Sequence, residues 1–371
     1  MHWMPWPYFP ADFPGKYESG ALTFPNELYD PEKGSDLFNE WLDLLEYAER
    51  LGFDGVVYNE HHQSPHAHVP NANIITAALA RRTTKLKFAP LGHVVPVHHP
   101  LQLAEEIAML DVITRGRVIA GFLKGMGHEY FTRNVNPIDS GEIFTEATEL
   151  IARAWTERKP FAFDGKFYQL PCVNIWPRPL QQPHPPIWVA GSGAAPSIKR
   201  AAERRYSYVR GFDADEPIAR TFATYREFAR ESGYEAEREK IILSKPIYLA
   251  DTDQEAIRQG TPHFEYTFRQ LLMGPREFWF PPGFVPPSSY QAAVATRDNS
   301  ETGSMEEFNR SGRIAMGSPE RVTERLLEAH QKMKYGVLIV VLGFGRMIRE
   351  ETKRNMEIFA ESVLPRLRHL T

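Results

Sequence analysis

Short apolar runs alternate with amphipathic stretches along most of the chain. In residues 36–51 the apolar positions recur every three or four residues, which predicts a helix that ends at Gly52. Runs rich in Val, Ile and Phe are typical of buried strands. The predicted strands are 1–6, 55–58, 85–91, 118–122, 187–190, 206–209, 241–250 and 337–343. The further predicted helices are 71–82, 101–113, 142–157, 197–205, 216–232, one that starts near Asp253, 319–334 and 347–367.

This alternation predicts an α/β fold built as a (β/α)8 barrel. Strands that are joined by helices run parallel, because the crossover returns the chain to the same edge of the sheet. Eight such units in 371 residues favour a closed TIM barrel, with an open doubly wound sheet as the alternative. Residues 261–312 interrupt the alternation, and connections of this length are typically lids or disordered segments. We therefore predict a single domain, 1–371, with a late insertion that forms a lid.

Composition and charge narrow the classes of function. The hydrophobic share of 42% and the charged share of 24% are typical of a soluble globular protein. A formal net charge of −4 does not indicate a nucleic-acid or anionic-membrane partner. The single cysteine, Cys172, cannot form an internal disulfide, and no stretch approaches the ~20 apolar residues of a membrane helix. The N-terminus lacks a secretory signal pattern, so the expected location is the cytoplasm.

A dense group of histidines follows the second predicted strand. Glu60, His61 and His62 come directly after it, and in a barrel this end of the strands carries the chemistry. Imidazole titrates near neutral pH, so a general acid or base is one interpretation. A metal site that includes His66 and His68 is another, although the spacing fits no standard zinc pattern. In a third interpretation these side chains only cap loops and hydrogen-bond to them.

Small residues follow the fifth predicted strand. Ala190, Gly191, Ser192 and Gly193 lead into a helix, where backbone N–H groups and the helix N-terminus favour a phosphate. Lys124, after the fourth predicted strand, is a candidate counter-charge for it. Such turns also occur without a ligand, and the lysine is equally explained as a solvated side chain. The sequence contains no Walker-type phosphate loop, GxSxG nucleophile elbow or HExxH zinc helix.

Three stretches resemble the luciferase-like flavin monooxygenases. The strongest, within residues 52–125, begins GFDGVVYNEHHQSPH and goes on to ARRTTKLKFAPLGHVVPVHHPLQLAEEIAMLDVITRGRVIAGFLKG. The second is PPIWVAGSGAAPSIKRAAE, and the third is GSPE at 317–320. The order of Glu-His-His, Arg-Thr-Thr-Lys, Pro-x-x-His-Pro, Leu-Asp and Gly-Arg at these separations is specific for the family. The resemblance extends over nearly the whole chain.

This resemblance implies a (β/α)8 barrel with a late insertion and a non-covalently bound flavin. The cofactor is reduced FMN in most of the family and a deazaflavin in one branch. His61 would lie near the reactive flavin ring, with Glu60 and His62 flanking and orienting it. A cis peptide bond between Leu91 and Gly92, beside the flavin, is also implied.

The resemblance further implies where the flavin phosphate binds. Lys124 falls where the luciferases place an arginine on this phosphate. Gly191, Ser192 and Gly193, after Ala190, fall on the phosphate-binding segment. The luciferases have an acidic residue at the position of Gly191, so that single contact does not carry over.

These features favour a two-component flavin-dependent monooxygenase. Reduced FMN from a separate flavin reductase would react with O2 to give a flavin C4a-hydroperoxide, which oxygenates a small, largely apolar organic substrate. Trp3, Trp6, Phe9 and Phe264, in the two aromatic-rich segments, are expected to cover the flavin and select the substrate. The family resemblance also suggests a homodimer.

Several alternatives stay open from the sequence. Hydroxylation, epoxidation and Baeyer–Villiger insertion are not distinguished. One alternative function keeps the fold but transfers hydride with a deazaflavin, and another is a non-catalytic flavin-binding protein. A metal hydrolase is a third. The aromatic clusters are also compatible with rigid surface loops.

Overall fold

Strands and helices alternate in the computed structural model, which describes residues 16–65, 68–271 and 273–370. All seven predicted strands within these ranges coincide with strands of the structure. The strands are β1 (Gly55–Tyr58), β2 (Lys87–Pro90), β3 (His93–Val94), β4 (Ala120–Leu123), β5 (Phe161–Asp164), β6 (Gln169–Val173), β7 (Ile187–Ala190), β8 (Ser207–Gly211), β9 (Ile241–Leu249), β10 (Ala315–Gly317) and β11 (Val337–Val341).

The helices occupy the connections between these strands. They are α1 (Pro31–Arg50), α2 (Ala72–Ala80), α3 (Pro100–Thr114), α4 (Ser140–Thr156), α5 (Ala195–Glu203), α6 (Asp215–Glu231), α7 (Asp253–Glu265), α8 (Arg276–Trp279), α9 (Pro287–Thr302), α10 (Met305–Arg310), α11 (Pro319–Met333), α12 (Arg349–Ile358) and α13 (Leu364–Leu367). A 3-10 helix at Gly127–Thr132 follows β4, and π-helical turns at Tyr266–Leu271 and Phe359–Val363 extend α7 and α12.

The parallel strands curl into a barrel. Neighbours pair in the order β1, β2, β4, β7, β8, β9 and β11, with β2 and β4 joined by a bridge between Phe88 and Val118. Seven strands in a flat sheet would hold the first and last roughly 30 Å apart. Instead, Val57 of β1 and Ile339 of β11 belong to one buried cluster with residues of the strands between them. The predicted barrel is confirmed; its predicted first strand, 1–6, lies outside the described residues.

The outer helices follow from local sequence signals. In α1 the Asp30 side chain accepts hydrogen bonds from the backbone N–H groups of Glu32 and Lys33, and Pro31 occupies the first turn, where it displaces no hydrogen bond. Four buried apolar residues of α1 lie three or four positions apart and pack on the outer face of β1. Gly52, with φ +81°, takes the left-handed conformation that ends the helix. These buried residues are Trp41, Leu44, Leu45 and Ala48.

Two regions differ from the sequence prediction. The antiparallel hairpin of β5 and β6 was not predicted, because its short strands are mostly exposed and lack a strong apolar run. Residues 261–312, for which the sequence analysis predicted no regular elements, contain α8, α9 and α10. Val294 is the one buried residue of helix α9, so the sequence of this helix carries little helical periodicity. In the described part of the chain, no helix has both the length and the apolar character needed to span a membrane.

Candidate active site

The site is built at the carboxyl ends of the parallel strands. Because the strands run in one direction, the segments that follow β1, β2, β4, β7 and β8 meet at one mouth of the barrel. The segment after β1 carries Glu60, His61 and His62, and the segment after β4 carries His128 and Glu129. Two separate networks of glutamate and histidine result.

The first network centres on Glu60, which is 1% exposed. Its Oε1 accepts hydrogen bonds from Nε2 of His62 at 3.0 Å and from Nε2 of His98 at 2.7 Å. The backbone N–H of Val94 donates to the same oxygen at 3.3 Å. Burial tends to raise the pKa of the Glu60 carboxyl, but the hydrogen bonds from the two histidines outweigh it and hold the pKa well below its ordinary value.

Arg133 fixes the protonation pattern of this network. Its Nη2 lies 2.5 Å from Nδ1 of His62, and an arginine can only donate. Nδ1 of His62 therefore accepts, and its Nε2 carries the hydrogen that points at Glu60. Both ring nitrogens of His62 are thus committed to protein partners, and the imidazole is 2% exposed.

The second network centres on Glu129, which is fully buried. Its Oε1 lies 3.2 Å from Nδ1 of His61, and its Oε2 accepts from the backbone N–H of Met126 at 2.7 Å. Burial tends to raise the pKa of the Glu129 carboxyl, whereas the hydrogen bond and charge of His61 lower it, and the net shift is downward. As a carboxylate, Glu129 can only accept, so Nδ1 of His61 donates to it. The His61 side chain retains 10% exposure.

Several members of these networks were missed from the sequence. Glu129, His98 and Arg133 lie 38 to 71 positions from their partners, so no local pattern links them. His98 does stand within the quoted Pro-x-x-His-Pro motif, which was a usable signal. His93 was missed as well; Nδ1 of this buried ring faces the Gly121 carbonyl at 3.0 Å.

The metal interpretation fits this geometry poorly. Glu60, His62 and His98 lie close enough together to be considered as a ligand set. However, a metal needs the lone pair of Nε2 on His62, and the Arg133 contact places a hydrogen there. The other histidines in the sequence hypothesis diverge: His61 faces Glu129, and His68 lies 3.3 Å from the Tyr29 hydroxyl. His66 lies outside the described residues.

The predicted phosphate segment lies beside several cations. Gly193, with φ +90°, packs against Arg210: a Cβ placed on the glycine would lie 3.6 Å from Nε of this arginine. Lys124 stands at the end of the neighbouring strand, and burial and the charge of Arg200 lower the pKa of its ammonium to about 8. In this structure Lys124 donates to the Phe284 carbonyl at 2.8 Å.

The remaining residues of the predicted turn have structural contacts. Gly191, directly after Ala190, leaves room for Tyr208, since a Cβ there would lie 2.3 Å from its hydroxyl. That hydroxyl accepts from the backbone N–H of Gly193 at 3.3 Å, and Ser192 between the two glycines is exposed.

Two further features line the mouth. The peptide bond between Leu91 and Gly92 is cis, as the family resemblance implied, and it lies against β4, because a Cβ on Gly92 would meet the Leu123 side chain at 2.7 Å. Asn59 follows the inward-facing Val57 by two positions, and its Oδ1 is buried without a hydrogen-bond partner.

The insertion packs on the 3-10 helix that follows β4. A Cβ on Gly127 would lie 2.3 Å from the Trp279 carbonyl oxygen, so the two backbones are in close contact. The ring of Phe284 lies 5.5 Å from that of Tyr130, and the ring of Trp279 lies 5.2 Å from that of His128. The insertion therefore covers the segment that supplies Glu129.

The aromatic residues chosen from the sequence are located differently. Phe264 is 1% exposed and stacks on Phe344 at 4.2 Å, inside a core cluster beneath the insertion. Its position in α7 gives it a packing role, and the insertion ring that lies against His128 is that of Trp279. Trp3, Trp6 and Phe9 lie outside the described residues.

Comparisons with known proteins agree with this architecture. The sequence model for the luciferase-like monooxygenases matches residues 18–333. The oxygenase component of flavin-dependent trigonelline monooxygenase from Acinetobacter baylyi is 30% identical over 233 residues, which are 61% of this chain and 63% of that protein. The match thus spans less than two thirds of that relative's length.

Solved structures give the same result for the fold. A monooxygenase from Streptomyces bottropensis superimposes with a TM-score of 0.73 at 26% identity, over 91% of this chain and 96% of the other. The oxygenating constituent of 3,6-diketocamphane monooxygenase from Pseudomonas putida, a type II Baeyer–Villiger monooxygenase in complex with FMN, gives 0.71 at 23% identity, over 89% and 93%. The barrel, its late insertion and the sequence match together show that the chain belongs to the luciferase-like monooxygenase family.

Proposed function

We propose that this protein is the oxygenase component of a two-component monooxygenase that uses reduced FMN and O2 on a small, largely apolar organic substrate. The observation that carries the proposal is the His61 imidazole, held through Nδ1 by buried Glu129 at the mouth of the barrel. Related oxygenase components and the FMN-bound neighbour support the cofactor and the class of reaction.

The residues present fit an FMN molecule across the barrel mouth. Lys124 and Arg200 lie on adjacent units and repel each other, and a phosphate dianion would relieve that repulsion. Arg210, which is paired with Asp213, packs beside the turn at Gly193. The unpartnered Oδ1 of Asn59 is an acceptor suited to an N–H group of a flavin ring. Leu91 and Gly92 would border the ring from β2.

The chain's own part of the mechanism is proton handling and the exclusion of water. Bound reduced flavin supplies the reaction with O2. His61, with Nδ1 held by Glu129, presents Nε2 as a base or, once protonated, as a hydrogen-bond donor to a reacting oxygen. Glu60 and His62 stabilise the backbone that carries His61. The insertion keeps bulk water away from the mouth, which limits unproductive loss of reducing equivalents.

Titration of the protein with FMN tests the cofactor assignment. We expect flavin fluorescence to report binding of FMN and not of riboflavin, because the cations recognise the phosphate. Lys124 loses its charge as the pH rises through about 8, so FMN affinity should fall about tenfold between pH 7 and 9. Lys124→Arg should abolish this pH dependence. Equal affinity for FMN and riboflavin, or preference for a deazaflavin, would contradict the assignment.

Turnover tests the assignment as a monooxygenase. Protein supplied with FMN and a separate flavin reductase should consume O2 with less release of hydrogen peroxide when a substrate is present. Peroxide released in full with every substrate offered would favour a non-catalytic flavin-binding protein. Product analysis would distinguish hydroxylation, epoxidation and Baeyer–Villiger insertion.

A homodimer is part of the proposal. Met109, Val112 and Ile113 form an apolar stripe on α3, and each is more than 40% exposed. Exposed apolar patches on helices commonly mark contacts with another protein chain. Sedimentation should show a dimer, and Met109→Asp should shift it to a monomer. A wild-type monomer at micromolar concentration would contradict this part of the proposal.

A further inference from the structure

His128 is a buried imidazole that the mechanism above does not use. It is 1% exposed, and neither Nδ1 nor Nε2 has a hydrogen-bond partner. Among the described residues it is the one histidine with both ring nitrogens buried and unsatisfied. Native proteins rarely leave such groups unpaired, because each buried unpaired polar atom destabilises the fold. A ligand that supplies the missing partner explains why a histidine stands here.

The surroundings of His128 place it between the proposed catalytic pair and the insertion. It directly precedes Glu129, and its ring lies edge-on to Trp279 of the insertion at 5.2 Å. The indole Nε1 of Trp279 is likewise buried without a partner. Two neighbouring rings from different elements therefore present unsatisfied polar atoms.

The charge of this region favours an uncharged ligand. Burial lowers the pKa of His128 to about 4, although the charge of neighbouring Glu129 raises it, so the ring is neutral at pH 7. Arg297, over the face of Trp279, is paired with Glu301 at 2.8 Å, and Glu129 is paired with His61. An ionic substrate group would enter without a counter-charge. A neutral oxygen acceptor would satisfy an imidazole N–H and an indole N–H.

We infer that His128 and Trp279 form a substrate-binding site beneath the insertion that takes the carbonyl oxygen of a compact, uncharged, mostly apolar compound. This inference rests on the proposed function, because it assigns the organic substrate of the same site. His128 would contact the substrate and not the flavin, and the hydrogen bond would position the substrate relative to His61.

The experiment uses the FMN-loaded protein and three probes. Cyclohexanone is the uncharged carbonyl compound, methylcyclohexane lacks the oxygen, and cyclohexanecarboxylate carries a charge. Ligand-observed NMR titration gives each affinity, and FMN fluorescence gives the flavin affinity separately. In the wild type we expect cyclohexanone to bind more tightly than either comparison compound and to shift the imidazole 15N resonances of His128.

The variants separate binding from folding. His128→Phe keeps the aromatic edge against Trp279 and removes both nitrogens, so cyclohexanone affinity should fall about tenfold. Its melting temperature should not fall, because no internal hydrogen bond is lost. Trp279→Phe should weaken cyclohexanone binding several-fold. His330→Phe is the matched control, because His330 also lies edge-on to an aromatic ring, Tyr335, with an unpartnered Nδ1.

The outcomes distinguish this inference from the proposed function. Failure of the wild type to bind FMN would remove the proposed function itself. If FMN binds but cyclohexanone does not, or if His128→Phe and Trp279→Phe leave its affinity unchanged, the substrate site is wrong. Preference for the carboxylate, or a weaker FMN affinity in His128→Phe, would also overturn it. Should His128→Phe not fold, Trp279→Phe and the 15N shift of wild-type His128 still decide.

Discussion

Glu60 and Glu129 are both buried at the barrel mouth and both contact histidines, yet their surroundings differ. Oε1 of Glu60 accepts from His62, His98 and a backbone N–H, and Arg133 occupies the remaining nitrogen of His62. Glu129 contacts one histidine, His61, through one of its two nitrogens. The first network therefore joins two histidines, a backbone N–H and an arginine, whereas the second joins its carboxylate to one histidine and the backbone N–H of Met126.

This difference teaches that neighbouring histidines in one motif can serve unlike purposes. His62 is 2% exposed and ties the end of β1 to the segments after β2 and β4. His61 retains 10% exposure of its side chain at the mouth. We therefore expect changes at Glu129 and His61 to affect turnover and changes at Glu60 and His62 to affect stability.

The largest expected effect is that of His61→Ala. Loss of the positioned imidazole should lower turnover about 10²–10⁴-fold, the usual contribution of a general acid or base. FMN affinity should remain close to that of the wild type, because the phosphate is held elsewhere. Steady-state O2 consumption and product formation measure the effect. His99→Ala, at an exposed histidine, is the control, and wild-type turnover in His61→Ala would refute the role.

The next effect is that of Glu129→Gln. An amide keeps an acceptor for His61 but cannot balance the positive charge that His61 gains with a proton, so turnover should fall about tenfold. The unfolding free energy should also fall, by about 1 kcal/mol, because the amide offers one acceptor where Oε1 and Oε2 each accept a hydrogen bond. Denaturant unfolding and a kinetic assay on the same variant measure its effects on stability and on turnover separately. A large stability loss with unchanged turnover would reverse the comparison.

Glu60→Gln is expected to show the opposite result, with a larger effect on stability than on turnover. In this variant the donors of His62 and His98 face a neutral amide instead of a carboxylate. This change should lower the unfolding free energy by about 2 kcal/mol at pH 7. The pKa of Glu60 is depressed in the folded protein, so its carboxylate stabilises the fold at pH values above the ordinary pKa of a glutamate. This contribution is lost as the pH falls below that pKa. The gap between wild type and Glu60→Gln should therefore shrink below about pH 4. A gap independent of pH would argue against a charged Glu60.

The smallest expected effect is that of Arg133→Met. Arg133 is exposed, so its contact with His62 should contribute below about 1 kcal/mol to the unfolding free energy. Its removal frees Nδ1 of His62, so 15N NMR of the imidazole should show a change in the proton position. An unchanged His62 spectrum would mean that Arg133 does not set the tautomer.

The comparison also shows what could be predicted about the site. Glu60, His61 and His62 were found because a buried strand precedes them and barrels carry chemistry at that end. Glu129 was not found, although it stands only four residues past the quoted stretch, which ends at Gly125. A single acidic residue in a short 3-10 helix carries no periodic signal, and its partner lies 68 positions away.

The sequence by itself determined the strands and helices of the barrel, because apolar periodicity, N-caps and glycines act over a few neighbouring residues. It also supplied the family resemblance and the Glu-His-His motif. Only the tertiary structure decided that His61 contacts Glu129 while His62 contacts Glu60, that Phe264 is core, and that Trp279 covers His128. These contacts join strand ends and the insertion, so they form only when the sheet curls and brings distant segments to one mouth.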